Sequence, residues 1–187
     1  MSDLVTERYA LFDIVMAMDG EGGIGKDGKL PWSIPKDMDR FRCITSGMGP
    51  QGETPVVIMG RKTWESLPKK PLPGRVNIVL TSQHPASFYA ADTTHSPYVI
   101  AVRSLGSALL MFQHSPTFVI GGASVFEEAL SHPGLRRIEL TRINGDYGCD
   151  TFVRSKLPGT ERICSGSTDG QYAFETIYVN HHQSKGA

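Results

Sequence analysis

Asp37 is the residue of this sequence that most invites a chemical reading. It stands in the run Ser33-Ile34-Pro35-Lys36-Asp37-Met38-Asp39-Arg40-Phe41-Arg42-Cys43-Ile44, which reads as a helix with Ser33 as N-cap and Pro35 in the first turn. Phe41 and Ile44 follow Asp37 by four and seven residues, so the three share one helix face. Lys36, Asp39 and Arg40 are expected to point elsewhere, and Asp37 projects from the apolar stripe beside Met38. A carboxylate in apolar surroundings is costly unless paired, and its pKa rises. Such an acid can exchange protons or take a cationic donor. An acid in a first turn also complements the helix dipole, and the helix alone leaves both readings open.

Three further segments carry suggestive residue types. The glycine-rich stretch 19–32 follows an apolar run and holds Gly-x-Gly-x-x-Gly at Gly20, Gly22 and Gly25. No apolar helix follows it and Pro31 blocks one, so it is no dinucleotide fingerprint. Ile24, Leu30 and Trp32 would let it close over a ligand as a flap, and a plain surface loop is the alternative. Between Gly60 and Val76 stand Arg61, Lys62, Lys69, Lys70 and Arg75 against the single acid Glu65. That is a local anion-binding surface or a solvated one. Arg61-Lys62-Thr63 follows an apolar strand where a helix would start, which suits a phosphate. Arg75 follows the turn Pro71-Leu72-Pro73-Gly74 and is placed to take a carboxylate. Ile120-Gly121-Gly122-Ala123-Ser124 joins a buried strand to a helix, where paired glycines either let a pyrophosphate approach or serve a tight turn.

The elements that must position these residues alternate along the chain. Segments 11–18, 55–59, 76–80, 98–102, 117–120, 136–141 and 172–179 read as strands, and several of them are continuous apolar runs of the kind covered on both faces. Ser104 caps a stripe of Leu105, Ala108, Leu109 and Phe112, and residues 123–130 read as a second helix. The last strands lack intervening helices, so an antiparallel far edge is expected on an α/β sheet with helices on both faces. With 187 residues, 40 % of them hydrophobic, the chain is long enough for one real core and too apolar for intrinsic disorder. Nineteen Lys and Arg balance nineteen Asp and Glu, which argues against a general nucleic-acid binder. No apolar run approaches the ~20 residues of a spanning helix. Cys43, Cys149 and Cys164 are odd in number and widely spaced, which fits neither zinc nor a disulfide framework. With no signal-peptide pattern at residues 1–9, a reducing, cytoplasmic setting is expected.

Taken in order, several runs resemble one family. They are Gly23-Ile24-Gly25-Lys26-x-Gly28-x-Leu30-Pro31-Trp32, Ile58-Met59-Gly60-Arg61-Lys62-Thr63-Trp64-Glu65-Ser66-Leu67, Leu72-Pro73-Gly74-Arg75-x-Asn77-Ile78-Val79-Leu80, Ile120-Gly121-Gly122-x-Ser124-Val125-Phe126 and Asp150-Thr151-Phe152. The chain thereby resembles dihydrofolate reductase over about residues 12–180. The resemblance implies a single domain there, with a short extension at 1–11 and a tail at 181–187. It implies reduction of 7,8-dihydrofolate to 5,6,7,8-tetrahydrofolate by hydride transfer from NADPH C4 to pterin C6 with protonation at N5, feeding one-carbon metabolism. It implies a monomer that binds dihydrofolate and antifolates, with no metal, nucleic acid or membrane.

Roles follow at matching positions. Asp37 would bind the pterin amino group and N3–H and promote N5 protonation, with Trp32 and Leu30 beside it. Val15, Met16, Met38, Phe41, Ser66, Leu67, Leu72, Ile120 and Thr141 would surround the substrate, and Arg75 would clamp its glutamate α-carboxylate. Ala17, Ile24 and Gly25 would line the nicotinamide. Arg61, Lys62, Thr63, Thr81 and Ser82 would hold cofactor phosphates, and Arg103 would flank the adenine. Gly60, Leu80, Ile120, Gly121, Gly122, Ala123, Ser124, Val125 and Phe126 would complete the cofactor surround, with a cis peptide joining Gly121 to Gly122. Phe126 stands where many members have Tyr, and Ser124 replaces a basic residue that some use for phosphate. The chain is shorter than the fusion with thymidylate synthase found in some protists. Two alternatives remain: the NADPH-dependent pyrimidine reductase of riboflavin synthesis on the same fold, and a catalytically inactive folate- or nucleotide-binding module.

Overall fold

The apolar runs form strands, and a computed structural model describes residues 10–91, 96–159, 161–165 and 170–179. In chain order the elements are β1 (Phe12–Met18), β2 (Gly23–Gly25), α1 (Pro35–Thr45), β3 (Val56–Gly60), α2 (Arg61–Ser66), β4 (Val76–Leu80), α3 (Pro85–Ala91), β5 (Val99–Val102), α4 (Leu105–Met111), β6 (Thr117–Gly121), α5 (Ala123–Leu130), β7 (Leu135–Ile143), β8 (Thr151–Phe152), β9 (Glu161–Ser165) and β10 (Tyr172–Tyr178). The main sheet runs β5-β4-β3-β6-β1-β7-β10-β9, and β2 pairs separately with β8. Pairings from β5 to β7 are parallel, and β7–β10 and β10–β9 are antiparallel. This is the α/β sheet with an antiparallel edge expected from the strand spacing.

Strand alternation sorts the core onto two faces. Ile14, Met16 and Met18 of β1 pack with Leu105, Ala108 and Leu109 of α4 and with Val125, Phe126 and Ala129 of α5. Val15, Val57, Met59 and Val79 pack on the other face with Phe41 and Ile44 of α1, Trp64 of α2 and Phe88 of α3. Neighbours β1 and β6 lie side by side, yet the chain leaves β1 towards α1 and β6 towards α5, on opposite faces. Such a divergence opens a crevice at the carboxyl ends of the strands, where open α/β sheets bind ligands.

Ser104 caps α4 as expected, its side chain accepting from Ser107 N–H, and α5 keeps its expected bounds. Ser33 is not the cap of α1. Ile34 holds that position without a side-chain bond, because Pro35, with its preset φ, is the first helical residue. Short β2 and β8, with α3 and β9, have no counterpart in the sequence reading, since they carry too few residues or too little periodicity. The expected extension and tail lie outside the described residues apart from positions 10 and 11. Among the described residues no helix is long and apolar enough to cross a membrane.

Ile58 is fully buried in the middle of β3, between β4 and β6. Ile58→Ala should cost about 3 kcal/mol, read as a lowered urea midpoint with unchanged slope.

Candidate active site

Asp37 sits in the first turn of α1 and faces the sheet. Thr141 Oγ1 on β7 donates to its Oδ1 at 2.6 Å. Burial raises the carboxyl above its ordinary range, while the Thr141 bond and the Arg40 charge pull it back. Phe41 and Ile44 pack beside it against Val15, as the helix-face reading required. Met38 is exposed at the rim. Trp32 is 7 % exposed, packs near Ala17 and stacks edge-on with Tyr147 at 5.5 Å. Its buried Nε1 has no hydrogen-bond partner among the described residues. A buried unpaired donor costs about 1–3 kcal/mol, so this N–H calls for a water or ligand acceptor.

A cation lies at the other end of α1, just ahead of β4. Arg75 is only 4 % exposed, and its guanidinium lies 5.9 Å from the Phe41 ring. Nη1 donates to Thr45 Oγ1 at 2.6 Å and Nε to the Pro73 carbonyl at 3.1 Å. No carboxylate among the described residues pairs with it, and burial lowers its pKa. A buried guanidinium bonded only to neutral oxygens is a receptor for an anion. Asn77 fixes the turn before it by bonding both the N–H and the carbonyl of Leu72. Leu67 and Leu72 are half-buried against the same apolar cluster.

The carboxyl ends of β3, β4 and β6 carry the residues expected for the cofactor. Gly121 to Gly122 is a cis peptide, and Gly121 has φ of 129°. A Cβ on Gly122 would meet Thr63 Oγ1 at 3.1 Å, and one on Gly60 would meet Val125 Cγ2 at 3.2 Å. Bare backbone is therefore presented where two strand ends meet a helix start, a cradle that suits a pyrophosphate. Lys62, Ser82 and Arg103 are exposed, Thr63 half-buried and Thr81 buried. Arg61 pairs with Glu65 one turn on, both partly exposed. Leu80 is half-buried, and Ala123, Ser124, Val125 and Phe126 form the first turn of α5 beyond the glycines.

The 19–31 segment is neither a free flap nor a plain surface loop. Gly23 and Gly25 of β2 pair with Phe152 and Thr151 of β8, and Lys26 and Lys29 close a turn beyond. The Val153 N–H donates to the Gly22 carbonyl, the Asp150 N–H to the Gly25 carbonyl, and the Asp27 N–H to Asp150 Oδ2 at 2.7 Å. At its base the buried Asp19 carboxylate accepts from the N–H groups of Gly23 and Glu21. Ile24 packs on the core, whereas Leu30 is 53 % exposed.

Three expectations need correction. Met16 turns its side chain into the core on the far face, because alternation sets it opposite Val15 and Ala17, so it offers the crevice backbone only. Ser66 is exposed and its hydroxyl donates to the Thr63 carbonyl within α2. Arg40, expected to point away from the stripe that carries Asp37, also turns to the sheet: its side chain is 15 % exposed and pairs with Glu139. Missing from the sequence reading were that pair and the Asp19 and Asp150 clasps. Glu139 between Ile138 and Leu140 in the strand 136–141 was the one signal available.

A family model for dihydrofolate reductase matches residues 11–161. A putative dihydrofolate reductase of Caenorhabditis elegans is 40 % identical over 153 residues, covering 76 % of this chain and 77 % of that one. A bifunctional dihydrofolate reductase-thymidylate synthase of Glycine max is 42 % identical over 151 residues, covering 76 % of this chain. The match covers 28 % of that plant protein's length. A solved dihydrofolate reductase from Enterococcus faecalis, complexed with NADP(H) and RAB-propyl, superposes with a TM-score of 0.70 at 26 % identity, over 92 % of this chain and 98 % of that one.

The Asp27 amide holds the Asp150 carboxyl below its ordinary range. A carboxyl lowered in the folded state contributes to the fold above the unfolded pKa and loses that contribution as pH falls through the lowered value. Asp150→Ala should therefore speed hydrogen exchange at the Asp27 amide by about tenfold or more. In the parent protein the same protection should fade on acidification, after correction for intrinsic exchange.

Proposed function

Since the chain belongs to the dihydrofolate reductase family, we propose that it reduces 7,8-dihydrofolate to 5,6,7,8-tetrahydrofolate with NADPH. One arrangement carries the reading. An acid bonded to Thr141 at the start of α1 shares that helix with a buried guanidinium bonded to Thr45 at its end, which has no carboxylate partner among the described residues. Dihydrofolate has the complementary ends, a hydrogen-bond-donating pterin and a glutamate carboxylate.

In this reading the ionised Asp37 accepts hydrogen bonds from the pterin 2-amino group and N3–H. Thr141 fixes the carboxylate so that one oxygen stays directed at the ring. The unpaired Trp32 Nε1–H donates to a water that helps bring the proton to N5. Phe41, Leu67 and Leu72 pack on the flat rings, and the carbonyls of Val15 and Ile120 accept from amino groups at the pterin edge. Arg75 takes the α-carboxylate. Gly60, Gly121, Gly122 and Thr63 fit a pyrophosphate by their bare backbone and hydroxyl, with Arg61, Lys62, Thr81 and Ser82 towards the 2′-phosphate and Arg103 by the adenine. Ala17, Ile24 and Gly25 flank the nicotinamide. NADPH, when bound, supplies the hydride. The chain's own residues orient the partners, exclude water and place negative charge where positive charge develops. The reading includes residues 12–180 as the reductase unit, acting as a monomer in the cytoplasm on small molecules, in keeping with zero net charge.

NADPH absorbance should decay with dihydrofolate and stop with methotrexate. No decay despite NADPH binding would favour the pyrimidine reductase, and neither decay nor binding would favour an inactive module. Asp37→Asn should lose most turnover at neutral pH, and unchanged turnover would refute the proton role. Arg75→Leu should weaken ligands that carry the glutamate carboxylate by about 10–100-fold, the worth of a charge-assisted pair. Diaminopyrimidine inhibitors without a carboxylate should bind as before. Equal losses for both ligand classes would remove Arg75 from this role.

A further inference from the structure

Beneath α1 the sheet carries charges that the proposed reaction does not use. Asp13 of β1 aligns with Arg137 of β7, Val15 with Glu139 and Ala17 with Thr141, which places Asp13, Arg137, Glu139 and Thr141 on the face that α1 covers. Glu139 is 6 % exposed in the protein interior. Its Oε2 accepts from Arg40 Nη2 at 2.6 Å and from Thr176 Oγ1 at 2.8 Å, and its Oε1 lies 3.3 Å from Arg137 Nε. The Arg40 guanidinium rests 4.8 Å from the Phe174 ring centre and reaches the Glu175 carbonyl at 3.5 Å.

Arg40 follows Asp37 by one helical turn, so their side chains project from neighbouring positions of α1. No ion pair within contact distance joins them among the described residues, although each feels the other's charge. Glu139 draws the guanidinium away, and Phe174 holds it there. We propose that Arg40, tethered by Glu139, is a positioning residue that keeps the Asp37 carboxylate charged from a distance while leaving its oxygens free for a ligand. The inference rests on the role given to Asp37 in the proposed function.

The tether matters as much as the charge. A guanidinium in contact with Asp37 would favour its ionised form more strongly but would occupy the oxygen that a pterin needs. A neutral residue would leave burial unopposed except for Thr141. Other charges on the surrounding elements are engaged elsewhere. On α1, Lys36 is exposed and Asp39 pairs with Arg42. On β1, Asp13 is held by Arg136 and Arg137. Arg142 and Glu175 pair across β7 and β10 on the opposite face. On α2, Arg61 pairs with Glu65, and Lys62 is exposed.

Titration of the Asp37 side-chain carbon by 13C NMR, in ligand-free protein and assigned with Asp37→Asn, reads the coupling without any turnover. Arg40→Gln should bind the Asp37 proton about tenfold more tightly, the coupling expected of two charges just beyond contact in a half-buried site. Glu139→Gln should act in the opposite sense, weakening proton binding severalfold, because Arg40 is then uncompensated and free to close on Asp37. The same variant should raise KM for dihydrofolate more than it lowers kcat. Arg40→Lys, which keeps the charge, should restore most of the parent titration. General loosening of the fold would move both midpoints the same way. Midpoints that stay put, or shift together, would overturn the proposal, and Glu139→Gln alone decides it if Arg40→Gln does not fold. Opposite shifts in a protein that fails to oxidise NADPH with dihydrofolate would leave the coupling standing and remove the proposed reaction.

Discussion

The Asp37 carboxylate hangs from α1 over the sheet and is tied to it by a hydrogen bond from Thr141. Most of the crevice can be understood as the means of keeping that half-buried charge in place. Apolar side chains on either side of it, Val15, Phe41 and Ile44, remove water and raise its pKa. Lowering the local dielectric also strengthens every interaction the carboxylate makes with a ligand. The fold must tolerate a group it would hold more cheaply as an amide, and that tolerance is characteristic of sites shaped for binding rather than for stability.

Around this constraint the protein distributes its other polar groups by distance. Arg75, buried without an anionic partner among the described residues, sits at the far end of α1. Thr141 touches the acid directly, whereas Arg40 is held off by Glu139. Among the described residues the N–H of Trp32 is the one buried side-chain polar group without a hydrogen-bond partner. A buried donor or cation without such a partner is costly, and a complementary group would relieve it. Loop 19–31 is fastened differently, by backbone pairs and two carboxylates that accept amide hydrogens. Its tip at Leu30 is left in water, so the loop has a fixed base and a free edge.

Some of the site was legible because its signals are local. The three residues Asp37, Phe41 and Ile44 share a face through helix periodicity alone, and the glycine pair and the rigid turn before Arg75 declare themselves by residue type. What was not legible depends on which strand lies beside which. Arg40 was placed off the face of Asp37 because the apolar stripe of α1 does not include it. Its partner Glu139 is 99 residues away, and only the placement of β7 beneath α1 joins them. Met16 likewise looked like a pocket residue until the sheet face of its strand was fixed. The clasp of β2 on β8 involves strands of three and two residues, too short to leave a periodic trace.

By itself, then, the sequence determined the class of fold, the strands of its parallel core, and a candidate acid on an apolar helix face. Those features depend on contacts between residues a few positions apart, which periodicity and residue type record directly. Only the tertiary structure decided that β6 sits between β3 and β1, which sets the end of β3 beside the glycine pair that closes β6. It alone decided that Thr141 bonds the acid and that Glu139 restrains Arg40. Those are long-range pairings, fixed by strand order and register, and a change of one residue in register would have turned each of them to the opposite face.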